Sequence, residues 1–365
     1  MRILRLAVSD MRRFGSVELQ PAPGLNVITG DNGAGKTTLL EAAHLMAYGR
    51  SFRGRVRDGL VRSGAEALQV YAEWTEGPPA APRTRRAGLR HSGHAWDGRL
   101  DGESVGQLGD LCAALAVVTF EPGSHALITG SAEIRRRYLD WGLFHVEPAF
   151  LRSWRRYNRA LKQRNALLKT GGGLRQLDAW DHELVESGDL LTEHRAAYVG
   201  ALEVPLRAIA ADLTDTVGDV DLRYLPGWRR DDMSLADALL RARDRDRSAG
   251  FTSVGPHRAD WRLAFGAVPG REALSRGQAK LVALAALLAQ AEHHAQVSGE
   301  WPVVALDDLA SELDRAHQRR VLDLLRASGA QVLITGTEAP PALVDSGDPF
   351  VGFHVEHGLV CGPAE

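Results

Sequence analysis

Hydrophobic and polar positions change their rhythm several times along the 365 residues. Near the start they alternate. Arg2–Val8 reads as a strand, Ser9–Gly15 as a loop holding Arg12 and Arg13, and Val17–Leu19 as the beginning of a second strand. Gly24-Leu-Asn-Val-Ile-Thr29 is a short run with β-branched residues, the pattern of a buried strand. Thr38-Leu-Leu-Glu-Ala-Ala-His-Leu-Met46 is made of helix formers. Leu68, Val70, Ala72 and Trp74 alternate within a strand at Ala67–Thr75. Residues 77–83 form a Pro/Ala-rich connection, 87–102 further short strands, and Ala116–Phe120 an apolar strand.

The rhythm then turns helical. Ser131–Asp215 predicts two or three helices, broken at Gly171-Gly-Gly173, with Pro205 interrupting the last. Leu151, Trp154, Leu161 and Leu168 fall near one face. Arg152, Arg155, Arg156, Arg159, Lys162, Arg164 and Lys169 cover the remainder, with no acid between Phe150 and Arg175. Such a face is either a solvated arm or a contact for a phosphate backbone. Strand pattern returns at Val220–Tyr224 and over Phe251–Phe265, with a charged helix at Asp231–Arg247 between them. Ala279–His294 is apolar nearly all round, so it reads as a buried helix. Val303-Val-Ala-Leu306 is a core strand ending in Asp307-Asp308; a helix from Arg315 and a strand at Gln331–Thr335 follow.

The junction at Gly30–Thr37, G-D-N-G-A-G-K-T, fits the phosphate-binding pattern G-x-x-x-x-G-K-[ST] between a strand and a helix. Glycines let backbone N–H groups turn inward around phosphate oxygens, and the helix adds its positive end. Gly30, Asp31, Asn32, Gly33, Ala34, Gly35, Lys36, Thr37 and Thr38 are therefore candidates for binding ATP. Lys36 would reach the β- and γ-phosphates and the Thr37 hydroxyl would ligate Mg²⁺. Asp307, at a strand end, is the second Mg²⁺ candidate, acting through bound water. Asp308 would orient and deprotonate the attacking water. Lys36 and Asp308 are thus the catalytic candidates. Leu274-Ser-Arg-Gly-Gln278 opens a second helix just upstream. Ser275 suits an N-cap, and L-S-x-G-Q ahead of the acidic pair also marks the ABC class of ATPases. There Ser275, Gly277 and Gln278 would meet the γ-phosphate bound by another copy of the chain, so two chains facing head to tail would trap two ATP molecules.

Composition narrows the setting. A 44% hydrophobic and 25% charged chain is ordinary for a soluble protein of two domains, or of one large domain with an insertion. The net charge of −2 leaves no global field for nucleic acid, so any such contact is a local patch. Lys36 is one of only four lysines, with Lys162, Lys169 and Lys280. Two cysteines, Cys112 and Cys361, build no disulfide framework and fit a reducing cytosol. The first residues are too short an apolar run for a signal peptide, and Leu281–Ala289 is far below the roughly 18 residues of a membrane span.

In order along nearly the whole chain, the sequence resembles the RecF family, SMC-like ATPases of recombinational repair. The matching pieces are Gly24–Val27, Gly30–Thr37, Leu40-Glu-Ala42, Gly49-Arg-Ser-Phe-Arg53, Phe120-Glu-Pro122, Arg135-Arg-Arg-Tyr-Leu-Asp140, Gly255-Pro-His-Arg258, Leu274–Gln278, Leu306-Asp-Asp308 and Ser311-Glu-Leu-Asp314. Arg12, in Asp10-Met-Arg12, matches the loop where an arginine approaches the nucleotide. The resemblance implies an α/β fold, an ABC/SMC-type P-loop ATPase head (1–128 and 215–365) with a short inserted helical arm (129–214). At ~1.5 Å per residue, two helices of ~35 residues reach only ~50 Å, too short for a full SMC coiled coil. It further implies an ATP-dependent homodimer that binds single- and double-stranded DNA at gaps or junctions and is released by slow hydrolysis. Its partners would be RecR and RecO, indirectly RecA, and it would be cytoplasmic. Three positions depart from ABC relatives. Asp308 stands where transporters usually carry Glu, Gly336 or Thr337 stands where a histidine is usual, and only Glu121 stands near a glutamine-bearing loop. The competing readings are the nucleotide-binding subunit of an ABC transporter and an ATP-binding scaffold that barely hydrolyses.

Overall fold

The computed structural model describes residues 1–54, 59–78, 80–171 and 173–362. They divide into two compact units, Met1–Ser124 with Lys280–Glu365, and His125–Ala279. Residues 215–279, which the sequence reading places with the head, belong by their contacts to the second unit.

The first unit begins with β1 (Arg2–Met11), β2 (Phe14–Leu19) and β3 (Leu25–Thr29), then α1 (Lys36–Tyr48). What the sequence reads as a loop from Ser9 is a tighter hairpin, because β1 continues to Met11 and β2 starts at Phe14. Next come β4 (Leu68–Glu76), β5 (Arg83–His91), β6 (Trp96–Leu100), β7 (Glu103–Ser104), α2 (Leu108–Cys112) and β8 (Val117–Phe120).

The second unit holds α3 (Ala126–Thr129), α4 (Ala132–Val146), α5 (Phe150–Thr170), α6 (Leu174–Leu213), β9 (Val220–Leu225), α7 (Leu235–Ala249) and β10 (Asp260–Phe265). Helix α8 (Arg276–Ser298) starts there and continues into the first unit. The first unit then closes with β11 (Val303–Leu306), α9 (Leu309–Glu312), α10 (Arg315–Ser328), β12 (Val332–Thr335), α11 (Pro341–Ser346), β13 (Val351–Glu356) and β14 (Leu359–Cys361).

Two six-stranded sheets frame the first unit among the described residues. One is antiparallel, in the order β2-β1-β4-β5-β6-β7. Its strands alternate, and Leu68, Val70, Ala72 and Trp74 are all buried. The other, β14-β13-β3-β12-β11-β8, is parallel except for β14. Its β8, β11 and β12 are buried at every residue, as expected for parallel strands covered on both faces. One core joins Ile3, Leu6 and Val8 of the first sheet to Ile28, Val303 and Leu333 of the second through Leu39, Leu40 and Leu45 of α1. The phosphate-loop helix thus lies in the core, which is why nearly all its residues are apolar or small. Buried amides stitch the parallel sheet: Asn26 exchanges two 2.8 Å hydrogen bonds with the backbone of Ala22, and Gln331 binds Ile3 N at 2.7 Å and Ile3 O at 2.9 Å.

In the second unit α5 ends at Gly171, whose φ of 70° suits glycine, and α6 returns along it. The helices have 21 and 40 residues, about 31 and 60 Å at ~1.5 Å per residue, rather than two of similar length. Pro205 does not interrupt α6, which runs through it with the ring buried. The buried face of α5 is Phe150, Ser153, Tyr157, Ala160, Arg164 and Leu168. Of the face expected from sequence, only Leu168 is buried. Arg164 is wholly buried, and it donates to Asp181 at 2.5 Å, to Asp246 at 2.8 Å and to Thr252 at 2.9 Å. Arg156 pairs with Glu183 and Glu186. Arg164 is therefore an internal fastener, and Arg156, though partly exposed, is neutralised by two carboxylates of α6. Likewise, the strand expected over Phe251–Phe265 forms only from Asp260; Pro256–Arg258 is a 3-10 turn.

Candidate functional site

A cleft of about 550 Å³ opens in the first unit. Its floor is the loop between β3 and α1. Gly30 has φ 145°, and a Cβ there would stand 2.3 Å from the carbonyl oxygen of Val355 in β13. Gly35 has φ 119°, and a Cβ would strike the Phe14 ring at 2.6 Å. Both glycines are required by packing as well as by backbone angle. Gly35 is also the N-cap of α1 and supplies no side-chain cap, so the N-terminal end of α1 faces the cleft unmasked by any side chain.

The Lys36 ammonium folds onto the loop, donating to the carbonyls of Gly30 at 2.6 Å and Asp31 at 2.9 Å. Burial lowers its pKa, and Asp308, Asp307 and Asp31 act in the opposite direction. The Thr37 hydroxyl donates to Asp307 Oδ1 at 2.8 Å, and the Thr335 hydroxyl donates to the same oxygen at 2.7 Å. Burial raises the pKa of Asp307, the two hydroxyls pull it back, and neighbouring Asp308 pushes the same way as burial. Asp308 is half-buried, caps α9 in the left-handed region (φ 55°, ψ 42°) and donates its backbone N–H to Thr335 at 3.0 Å. A non-glycine residue held there is strained, which is common where a side chain must point into a site.

The cleft brings together Arg12, Asn32, Gly33, Gly35, Lys36, Thr37, Thr38, Asp307 and Asp308. Gly30 is packed beneath it, and Asp31 and Ala34 line a neighbouring hollow with His354 and His357. Glu121 and Gly336 also line the cleft. Ser275, Gly277 and Gln278 lie in the second unit. There the Ser275 N–H donates to Gln278 Oε1 at 2.9 Å and the Gln278 N–H donates to Ser275 Oγ at 3.2 Å, a reciprocal capping box. Ser275 and Gly277 are exposed, and a Cβ at Gly277 would meet nothing closer than 4.0 Å.

Sequence reasoning misses three contributors. Thr335 carries only the weak signal of a hydroxyl at a strand end. Arg13 reaches the P-loop, donating to Gly33 O at 3.1 Å. Glu41 in α1 has a fully buried side chain, takes Arg12 at 3.0 and 2.7 Å, and accepts from Ser51, whose oxygen in turn accepts from the Arg53 N–H at 2.9 Å. Arg12 is thus anchored to a buried carboxylate while lining the cleft, and the same carboxylate sets the loop that brings Phe52 and Arg53 to its rim.

The family model described as the RecF/RecN/SMC N-terminal domain matches residues 2–358. The chain belongs to the RecF family. It is 64% identical to the DNA replication and repair protein RecF of Stenotrophomonas maltophilia over 361 residues, 99% of each chain. The relative of the same name from Thioalkalivibrio sulfidiphilus is 39% identical over 362 residues, again 99% of each. Among solved structures, that of the recombination mediator protein RecF with ATP, in the RecFOR pathway, superposes with a TM-score of 0.87. It shares 25% identity and covers 100% of this chain and 98% of that one. An SMC head bound to the C-terminal winged-helix domain of ScpA is similar in fold (TM-score 0.59, 16% identity, covering 99% and 96%). The α/β, SMC-type head expected from the motifs is the architecture found. No helix among the described residues is long and apolar enough to cross a membrane.

Proposed function

We propose that this RecF-family chain is an ATP-switched DNA-binding protein of replication and recombinational repair, with slow hydrolysis as its timer. The observation that carries the reading is the cleft, where an uncapped helix N-terminus, a lysine, and a threonine–aspartate pair 2.8 Å apart converge. Bound ATP would supply the γ-phosphoryl group, and Mg²⁺ would neutralise charge on its oxygens. The residues fit both. Mg²⁺ is typically held by one or two protein oxygens plus phosphates and water, and Thr37 and Asp307 offer that set. Among the described residues no cluster of three or more His, Cys, Asp or Glu competes for a metal. Lys36 has only carbonyl oxygens to give up when it turns to phosphate. Asp308 would hold and deprotonate the attacking water. Its carboxylate, one methylene shorter than a glutamate, holds that water less closely, which suits a slow switch.

Ser275, Gly277 and Gln278 would complete the site on a second copy of the chain. A glycine exposed in the first turn of a helix, with no packing reason, leaves room for a phosphate to approach the backbone. DNA contact is supported by α5. Arg152, Arg155, Arg159, Lys162 and Lys169 recur at helical spacing opposite its buried face, and α5 contains no acid. By family resemblance the partners are RecO and RecR, the substrate is gapped DNA, the outcome is loading of RecA, and the setting is the cytoplasm. The transporter reading is not favoured, because the relatives that match along the full chain are DNA repair proteins.

The test is DNA binding at fixed salt with ATP, with ADP and without nucleotide, for the wild type and Ser275→Arg. Tight binding with ATP alone, lost in the variant, is the expected result. Binding indifferent to both nucleotide and variant would remove the switch.

A further inference from the structure

Two of the stretches by which the sequence resembles its family, Arg135–Asp140 and Gly255–Arg258, are more than 110 residues apart in sequence and meet in the second unit. Between them lies a pocket of about 290 Å³. Most of the charged side chains around it are matched. Arg135 forks onto Asp260 at 2.6 and 3.0 Å. Arg195, buried, binds Asp140 at 2.9 and 3.0 Å. Arg137 pairs with Glu133 along the helix. The Tyr157 hydroxyl and His257 Nδ1 are 2.7 Å apart, and His257 Nε2 lies 2.9 Å from the carbonyl oxygen of Thr252. With Nε2 as the donor, Nδ1 accepts from Tyr157. Burial lowers the pKa of His257 to about 4 and raises that of Tyr157, so the pair is neutral.

Arg136 is the exception. It lines the pocket half-buried, and its only hydrogen-bond partner among the described residues is the carbonyl oxygen of Ala259, at 2.8 Å. Burial first, and then Arg195 beside it, lower its pKa, and the carboxylates of Asp260, Glu133 and Asp140, each already held by another arginine, only partly offset them. Four arginines thus share three carboxylates, and the arginine with no carboxylate of its own lines the pocket half-buried. A half-buried charge left unpaired is costly, and an anion that accepts from a planar fork relieves the cost. Asn158 also lines the pocket; its amide donates one N–H to the carbonyl oxygen of Trp154 at 3.0 Å, and an amide nitrogen carries a second N–H.

We propose that this pocket is a phosphate-binding site, in which Arg136 and Asn158 hold one phosphate group. On the DNA-binding reading above, the group belongs to a nucleic-acid backbone; a free phosphate or phosphorylated small molecule is the other source of the same chemistry. Arg135, Arg195 and the Tyr157–His257 pair are the frame that fixes Arg136, not contacts of their own. Gly255, at φ 121° with a virtual Cβ 3.0 Å from the Tyr157 hydroxyl, is the glycine that lets the frame close.

The experiment uses the full chain with a gapped duplex over a range of salt concentrations, and inorganic phosphate against chloride at matched ionic strength in a thermal melt. Arg136→Gln removes the charge. Asn158→Asp adds a carboxylate without touching the Arg136–Ala259 bond, and serves even where the first variant folds poorly. Each should weaken DNA binding several-fold near physiological salt and reduce the salt slope by about one, with Arg136→Lys restoring part of the slope. A phosphate-specific rise in melting temperature, lost in both variants while DNA binding is untouched, would assign the site to a free phosphate. Variants that match the wild type in both arms would overturn the site. A wild type that binds no DNA would overturn the DNA-binding reading, and the phosphate arm would still decide the pocket.

Discussion

Two helices in this chain begin beside the Gly30–Thr37 and Leu274–Gln278 motifs, and they begin in opposite ways. Helix α1 starts at Gly35, which offers no capping side chain, and Lys36 beside it has, among the described residues, only loop carbonyls as hydrogen-bond partners. Helix α8 starts behind Ser275 and Gln278, which satisfy each other's backbone N–H groups. An uncapped helix end carries unsatisfied donors that a phosphate can take, whereas a boxed end is at rest without a ligand. The difference teaches which end binds first. On the proposed function, the α1 end would hold phosphate in a single chain. The α8 end would, on the same reading, gain little from a ligand until a second chain brought one already bound.

The largest expected break in this contrast is Lys36→Met. It should lower ATP affinity at least ~100-fold, roughly 2.7 kcal/mol, by equilibrium binding to the isolated chain; unchanged affinity would mean that the α1 end is not the phosphate seat. Next is Arg12→Ala. It leaves the fully buried Glu41 carboxylate without its cation, and denaturant unfolding should show a loss of about 3 kcal/mol. A loss below ~1 kcal/mol would show that Arg12 serves the nucleotide more than the fold. The smallest effects sharpen the α8 side. Ser275→Ala should cost about 1 kcal/mol of stability as a lost cap. Gly277→Ala should gain up to ~1 kcal/mol, since nothing packs against that glycine. Both should spare ATP binding by the single chain and weaken ATP-dependent association. A Gly277→Ala variant that associates normally would show that no phosphate approaches that backbone.

The alternating strands and the buried parallel strands are legible in the sequence because each has a simple apolar period, as in Leu68–Trp74 or Val303–Leu306. The residues of the cleft are nameable for a different reason. Phosphate chemistry needs glycines, a lysine, a hydroxyl and a carboxylate at fixed places, and Gly30–Thr37 and Asp307-Asp308 stand out as such. What escapes is burial by pairing. Arg164 reads as an outward cation, yet Asp181 and Asp246 let it occupy the buried face of α5 and shift that face from the one counted on leucines. Glu41 escapes for the same reason, since Arg12 and Ser51, distant in sequence or in loop, make a fully buried carboxylate tolerable. Pro205 misleads because a proline inside a long packed helix costs one hydrogen bond that neighbouring contacts outweigh. The grouping of residues 215–279 with the arm follows from contacts of β9, β10 and α7 that no local pattern records.

The place of β3 in its sheet also sets the order in which the protein becomes competent as it is made. β3 ends at Thr29, but its two neighbours are β12 and β13, which begin at Val332 and Val351. The wall against which Gly30 packs is the carbonyl of Val355. A chain leaving the ribosome therefore carries its phosphate loop for about 300 residues, roughly 15–60 s at ~5–20 residues per second, before the strands that shape the loop exist. Over that interval the apolar surface of α1 lacks the part of its cover that comes from Val303, Leu333 and Phe353, and exposed apolar surface of that kind favours aggregation. A chain released early, even one lacking only the last tenth of its length, lacks β12 and β13, so on the proposed function incomplete copies would not bind ATP and would not enter a nucleotide-dependent dimer.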